Sequence, residues 1–148
     1  MSPSPDMNAD RLVVLLVDDD PIVLAVNQER LEQMGYTAHA RDQVLGTSQW
    51  IVENRPWMVL LDVMMPAMSG GELALFLRKR GIETHVVLHS SKDLAELREL
   101  MRETGSLGVI PKGLDDSEFQ RQFSALARAA GRKTGPTPLR GSSLVPDS

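Results

Sequence analysis

One stretch near the start of the chain restricts its possible folds more than any other. Six apolar residues, 12–17, lead directly into the acidic triplet Asp18, Asp19 and Asp20. The run is far shorter than the ~20 apolar residues that a membrane-spanning helix needs. An uninterrupted apolar run of this length is typical of a strand buried on both faces of a parallel sheet. The acidic residues then lie at the carboxyl end of that strand, where open α/β sheets bind their ligands.

Apolar runs and helical segments alternate along the rest of the chain. Asp20 and Pro21 have the residue types favoured at a helix N-cap and first helical position. The predicted strands are 12–17, 36–40, 57–62, 84–89 and 107–110. The predicted helices are 21–34, 43–54, one that follows the 63–70 loop and ends at Gly81, 92–104, and one that begins after Asp115 and ends near Ala130. Five βα units in succession predict a doubly wound parallel sheet with helices on both faces and right-handed crossovers.

Length and composition favour one folded domain with polar ends. The chain has 148 residues, 42% of them apolar, which is enough for a core built mainly from aliphatic side chains. We predict a flexible N-terminal arm over 1–10, a folded domain over 11–130 and a flexible tail rich in Pro, Gly and Ser over 131–148.

The composition also excludes several classes of function. The chain contains no cysteine, so it has no disulfide and no thiolate metal site, and it suits a reducing compartment. Its net charge of −4 argues against binding nucleic acid through overall basicity. The N-terminus lacks the pattern of a signal peptide, and no segment has the length of a membrane span. We therefore predict a cytoplasmic protein that acts away from the membrane.

Chemically active side chains follow four of the predicted strands. Asp18 and Asp19 follow the first, Asp62 ends the third, and Ser90 and Lys112 follow the fourth and fifth. Any one of them alone is more often a cap or turn residue. Together they would meet at one sheet edge, where clustered carboxylates repel one another unless a cation compensates them. Oxygen ligands without Cys or a nearby His favour Mg²⁺ over Zn²⁺.

With these strand-end residues the chain resembles the receiver domain of two-component response regulators. The resemblance covers about residues 10–130. It rests on the strand-end residues just described, together with Met65-Pro66 and Gly70 downstream of Asp62. It implies a flavodoxin-like (βα)5 fold, a three-layer sandwich whose strand order is 2-1-3-4-5. The first and third strands are then neighbours at the switch point, which places Asp19 beside Asp62.

The resemblance also implies a phosphoacceptor and a metal site. Asp62 would take a phosphoryl group from a histidine kinase or phosphotransfer protein. Mg²⁺ would be held by Asp19, Asp62 and the backbone carbonyl of Met64, with Asp18 acting through a water molecule. This ligand set suits the octahedral, partly hydrated geometry that Mg²⁺ prefers.

Two further residues would contact the phosphoryl group in such a domain. Lys112 would pair with one phosphoryl oxygen as a point charge, and the hydroxyl of Ser90 would donate to another. The Ser90 contact forms only after phosphorylation, so it would bias a two-state equilibrium. The domain would catalyse its own phosphorylation and slow dephosphorylation without being a conventional enzyme. Its output would be contact with a downstream protein, as a monomer or weak dimer, without direct binding to nucleic acid.

The chain departs from the family pattern near Lys112. Gly113 stands where many receivers have proline, and Val109 stands where many have an aromatic switch residue. We therefore predict that the signal leaves through the loop after Ser90 and the helix from Lys92. We predict that His89 is a packing or partner-facing residue and not a catalytic base.

The sequence is also compatible with two other functions. One is a pseudo-receiver, a docking module that never takes phosphate. The other is a small Mg²⁺ phosphatase of the haloacid-dehalogenase type, which would use an Asp nucleophile after the first strand. The segment 18–22 lacks the Thr or Val of the DxDx[TV] motif of those enzymes.

Overall fold

A computed structural model describes residues 11–65 and 70–131. The predicted arm over 1–10, most of the predicted tail over 131–148 and the loop residues 66–69 lie outside these ranges. Five strands alternate with five helices. The strands are β1 (Val13–Val17), β2 (Thr37–Arg41), β3 (Met58–Asp62), β4 (His85–Ser90) and β5 (Gly108–Pro111). The helices are α1 (Pro21–Gln33), α2 (Thr47–Asn54), α3 (Gly70–Lys79), α4 (Leu94–Thr104) and α5 (Asp116–Ala130).

The five strands form one sheet in the order β2-β1-β3-β4-β5, and every pairing is parallel. The predicted flavodoxin-like strand order 2-1-3-4-5 is confirmed. Val17 is the register partner of Leu61, so Asp18 and Asp62 follow neighbouring positions at the same edge. Ser90 is the register partner of Pro111, which brings Lys112 to that edge as well.

Alternate residues of each strand pack into two separate cores, because successive side chains of a strand point to opposite faces. One core lies under α2, α3 and α4, and the other lies under α1 and α5. The first contains Leu15, Val17, Val59, Leu61 and Leu88 with Ile51, Leu73, Leu77 and Leu97. The second contains Val14, Leu16, Met58, Leu60, Val87 and Ile110 with Leu24, Leu31, Phe119 and Phe123. Among the described residues, no helix combines the length and apolarity needed to cross a bilayer.

Helix α1 begins where the sequence predicted. The Asp20 carboxylate accepts a hydrogen bond of 2.9 Å from the Ile22 amide, and Pro21 is the first helical residue. The helix is followed by Gly35 at φ +98°, a left-handed conformation that glycine adopts without steric cost. These two ends determine how α1 leaves the sheet edge beside Asp18 and Asp19.

Two helices begin later than predicted. Helix α2 starts at Thr47 and not near Gln43, because the Arg41 guanidinium holds the preceding loop through the Leu45 carbonyl and the Thr47 hydroxyl. Helix α4 starts at Leu94 and not at Lys92, because the Lys92 amide donates to the Ser90 hydroxyl instead of entering the helix. Side-chain bonds to the backbone compete with helix formation in this way.

Candidate functional site

Three carboxylates meet at the carboxyl edge of the sheet. Asp18, Asp19 and Asp62 each offer a carboxylate oxygen, and these atoms lie within 4.8 Å of one another. Asp18 and Asp62 are buried, whereas Asp19 is exposed. Neighbouring strands β1 and β3 deliver them, as the strand order requires. The cluster thus has two anions at its base and one at the solvent side.

The ammonium of Lys112 partly neutralises this cluster. Its Nζ atom lies 2.8 Å from Oδ2 of Asp18 and 3.3 Å from Oδ2 of Asp62. Burial lowers the pKa of Lys112, but the two carboxylates outweigh this effect, and the net result is a raised pKa. Lys112 therefore stays protonated at neutral pH. One positive and three negative groups leave an excess of negative charge.

Asp62 is the member of the cluster that ends β3. Its Oδ1 accepts a hydrogen bond of 3.0 Å from the Met64 amide, and its Oδ2 faces Lys112. Burial raises the pKa of Asp62, and the nearby Asp18 raises it further, against the lowering effects of Met64 and Lys112. Its ionised form is therefore less stable here than in water, and a bound cation would favour it.

Asp18 and Asp19 differ in how much of each carboxylate is already engaged. Oδ1 of Asp18 accepts the Asp20 amide at 2.9 Å, and Oδ2 pairs with Lys112. Asp19 is exposed beside it. The occupied oxygens of Asp18 suit an indirect contact with a metal ion, while the exposed Asp19 suits a direct one. Hard carboxylate oxygens at this spacing fit Mg²⁺.

Ser90 ends β4 and is buried. Its Oγ accepts the Lys92 amide at 3.1 Å, and its carbonyl accepts the Lys112 amide at 3.0 Å. Accepting the Lys92 amide uses a lone pair of the hydroxyl and not its hydrogen. Ser90 thus joins the β4–α4 loop to the strand that carries Lys112.

The predicted site residues lie at one edge of the sheet. Beside them is a group of polar contacts that the sequence did not predict. Asn27 of α1 is buried and contacts the buried His89 of β4, and Arg30 contacts Asn27. The available signals were the polar Asn27 within an otherwise apolar helix stripe and the His89 directly before Ser90. The burial of His89 agrees with the packing role predicted for it. No spacing rule joins residues this far apart in the chain.

Comparison with known proteins assigns the family. The family model described as the response regulator receiver domain matches residues 14–124, more than half of the chain. Response regulator MprA of Mycobacterium sp. (strain KMS) is 29% identical over 123 residues, which cover 83% of this chain and 54% of that protein. The transcriptional regulatory protein CseB of Streptomyces avermitilis is 29% identical over 128 residues, which cover 86% of this chain and 54% of that protein. The chain thus spans about half the length of these relatives.

Solved structures agree on the fold. The Francisella response regulator 1452 receiver domain matches with a TM-score of 0.73 and 24% identity, covering 82% of this chain and 100% of that one. A CheY-like response regulator receiver domain protein from Methanospirillum hungatei matches with a TM-score of 0.71 and 20% identity, covering 82% of this chain and 97% of that one. The family match, the strand order and the acidic edge lead to one assignment: this chain belongs to the response regulator receiver domain family.

Proposed function

We propose that this chain is a phosphorylation switch whose phosphoacceptor is Asp62. The observation that carries the proposal is the position of this carboxylate, buried at the end of β3 in a carboxylate cluster with Asp18 and Asp19 and within 3.3 Å of the Lys112 ammonium. Receiver domains typically bind Mg²⁺ at an acidic pocket and interact with histidine kinases and downstream effectors. The same chemistry is proposed for this edge of the sheet.

In the proposed phosphorylation step, an Asp62 oxygen attacks the phosphorus of a phosphohistidine on a histidine kinase or phosphotransfer protein. The Oδ–P bond forms, the N–P bond breaks, and the leaving imidazole keeps the bonding electron pair. In the return step, water attacks phosphorus, the Asp62 carboxylate leaves, and inorganic phosphate and a proton are released. Both steps transfer charge onto phosphoryl oxygens, so positioned cations accelerate them.

The residues at the carboxyl edge of the sheet would have separate roles. Asp19, Asp62 and the Met64 carbonyl would hold Mg²⁺ directly, and Asp18 would hold it through water. The bound ion would neutralise charge on the phosphoryl oxygens. Lys112 would leave its contact with Asp62 for a phosphoryl oxygen, a change that requires only a small movement of its flexible stem. The Ser90 hydroxyl hydrogen would bond to another oxygen and draw the β4–α4 loop inward.

The proposal extends to output and to chain organisation. Output would pass to a downstream protein through residues 90–104, since Val109 is only half-buried and offers no aromatic rotamer switch. Residues 11–130 would form the working unit, in the cytoplasm and as a monomer or weak dimer. The chain's negative net charge supports contact with proteins and not with nucleic acid.

Intact mass after treatment with acetyl phosphate or phosphoramidate and Mg²⁺ tests the proposal. The wild type should gain one phosphoryl group, and Asp62→Asn should gain none. The matched control is Asp42→Asn, the same change at an exposed aspartate before α2, and it should label like the wild type. An unlabelled wild type would contradict the proposal and favour the pseudo-receiver, a docking module that never takes phosphate. Continuous turnover of a generic phosphomonoester would instead indicate the phosphatase.

A further inference from the structure

A buried histidine lies directly beside the proposed switch residue. His89 precedes Ser90 in β4 and is 5% exposed, on the face of the sheet covered by α1 and α5. Its ring meets Phe119 edge-on at 6.5 Å between centroids. Burial lowers the pKa of His89, so its ring is neutral near pH 7. A neutral ring has one donor and one acceptor nitrogen.

Both nitrogens of this ring are engaged, and their partners determine the tautomer. Nδ1 lies 2.8 Å from the Ile110 carbonyl, which can only accept, so Nδ1 carries the hydrogen. Nε2 therefore accepts, and its partner is Nδ2 of Asn27 at 3.2 Å. His89 thus bridges β5 and α1 in a single orientation.

Arg30 continues the chain of bonds from Asn27 to the loop after Lys112. Its Nη1 donates to Oδ1 of Asn27 at 3.1 Å, and its Nη2 donates to the Leu114 carbonyl at 2.8 Å. Its Nε bonds Asp116 at 2.7 Å, and its guanidinium lies 5.0 Å above the Phe119 ring. Only 18% of the side chain is exposed. The planar fork of arginine suits this divided contact, which lysine could not reproduce.

The bonds converge on the short segment that carries Lys112. On one side, the Lys112 amide donates to the Ser90 carbonyl at 3.0 Å. On the other, Arg30 holds the Leu114 carbonyl. Between them, Gly113 is exposed at φ +86°, and a Cβ there would meet nothing within 4 Å. No side chain in the described ranges packs at Gly113 to fix the segment 112–114. The hydrogen bond from Arg30 to the Leu114 carbonyl therefore helps to fix its position.

We propose that Arg30 is a positioning residue for Lys112, acting through the Leu114 carbonyl and the Asn27–His89 bridge. The inference rests on the proposed phosphoacceptor function, because it concerns how the Lys112 ammonium is aimed at Asp62. Arg30 touches neither the carboxylate cluster nor the phosphoryl group. Its effect is on the geometry of the β5–α5 loop, and small misplacements of a catalytic group can cost as much as ~100-fold in rate.

The principal test compares two Arg→Met variants. Arg30→Met keeps an apolar stem over Phe119 and removes the fork, while Arg121→Met removes a guanidinium of the same helix layer that bonds only to Glu118 among its described partners. The initial rate of Asp62 labelling by acetyl phosphate with Mg²⁺ should fall about tenfold in Arg30→Met. It should be unchanged in Arg121→Met. Equal rates in the two variants would overturn the inference.

A double-mutant cycle separates positioning from general destabilisation. In a Lys112→Ala background, Arg30→Met should leave the remaining labelling rate unchanged, because the residue through which Arg30 acts is gone. An undiminished tenfold loss in that background would show that Arg30 acts elsewhere. Asp116→Ser removes the exposed partner of Arg30 and leaves the Leu114 and Asn27 bonds, so it should label at the wild-type rate. Arg30→Lys keeps the charge but should not restore the rate.

Hydrogen exchange tests the effect of Arg30 on the β5–α5 loop without any phosphate. The Lys112 amide should exchange at least several-fold faster in Arg30→Met than in Arg121→Met, because local opening of the loop becomes easier. Replacing both residues of the bridge together, Asn27→Leu with His89→Leu, should also speed this exchange, because it removes the Asn27 acceptor of Arg30 and the His89 contact with the Ile110 carbonyl. An unlabelled wild type would refute the phosphoacceptor function alone. Unchanged Lys112 exchange in Arg30→Met would refute the role of Arg30, whether or not the wild type labels.

Discussion

The Nζ atom of Lys112 lies 2.8 Å from Oδ2 of Asp18, closer than it lies to Asp62. The lysine therefore ties the buried part of the carboxylate cluster to β5, and its contact with the proposed phosphoacceptor is the longer of the two. Because the ammonium is shared, the proposed phosphoryl group on Asp62 would be able to take over the Asp62 contact while Asp18 still holds the lysine. The charges at this edge of the sheet can therefore be tested without phosphate, through stability, its pH dependence and Mg²⁺ affinity.

Neutralising Asp62 should stabilise the metal-free fold. The raised pKa of Asp62 means that its ionised form is penalised in the folded state relative to the unfolded chain, whose ordinary value is near 3.8. Asp62→Asn should therefore raise the free energy of unfolding at pH 7 without Mg²⁺. Urea titration monitored by circular dichroism measures the free energy of unfolding of both proteins.

The pH dependence of the same variant supplies a second check. A raised folded pKa favours the folded state at low pH, and that contribution is lost as pH rises through the folded value. The difference in stability between Asp62→Asn and the wild type should therefore grow as pH rises above about 4. Asp42→Asn should show no such trend, and a matching trend there would contradict the assignment to Asp62.

Magnesium affinity should distinguish a ligand from a helix cap within the acidic triplet. Asp19→Asn should weaken Mg²⁺ binding at least tenfold, because it removes a carboxylate that is proposed to bind the ion directly. Asp20→Asn removes the same charge one residue later but keeps an N-cap acceptor for the Ile22 amide, so it should weaken binding far less. Isothermal calorimetry, or the rise in melting temperature with Mg²⁺, gives both values. Equal losses in the two variants would show a diffuse charge effect.

Acidification should destabilise the fold through His89. Its pKa is lowered because the ring is buried; Lys112 and Arg30 add to this effect, while the bond to the Ile110 carbonyl and the charge of Asp18 oppose it. The unfolded chain then binds the proton more readily, so stability falls as pH drops below about 6.5, with a slope of at most ~1.4 kcal/mol per pH unit from this group. In His89→Gln this part of the slope should disappear. The control His39→Gln, at an exposed histidine, should keep the pH slope of the wild type. If both variants lost the slope, it would not come from His89.

Phosphorylation should reorganise the β4–α4 loop through Ser90. In the labelled wild type, amide exchange and chemical shifts should change across residues 91–104, because the hydroxyl gains a phosphoryl partner while it still accepts the Lys92 amide. Ser90→Ala should label at Asp62 yet lose most of that response. Ser91→Ala, an exposed neighbour, should keep it. An unchanged 91–104 segment in labelled wild type would refute this route for the signal.

Local sequence patterns determined the order of elements and the residues at the strand ends. Apolar runs ending in Asp18, Asp62 and Ser90 are local signals, and parallel pairing carries all such ends to one edge. The start of α2 was missed by four residues because Arg41 reaches forward to the Leu45 carbonyl, a side-chain contact that propensity does not report.

The tertiary structure alone decided which buried polar groups meet. In the sequence, Asn27 interrupts a helix stripe and His89 is predicted to be a packing or partner-facing residue. In the structure the two side chains bond to each other across the core. Periodicity indicates that a position is buried, but it does not specify the partner, which depends on strand order and helix placement. The sequence thus determined a receiver fold with Asp18, Asp19, Asp62 and Lys112 at one edge. Only packing decided that Lys112 lies closest to Asp18 and that Arg30 holds the loop behind it.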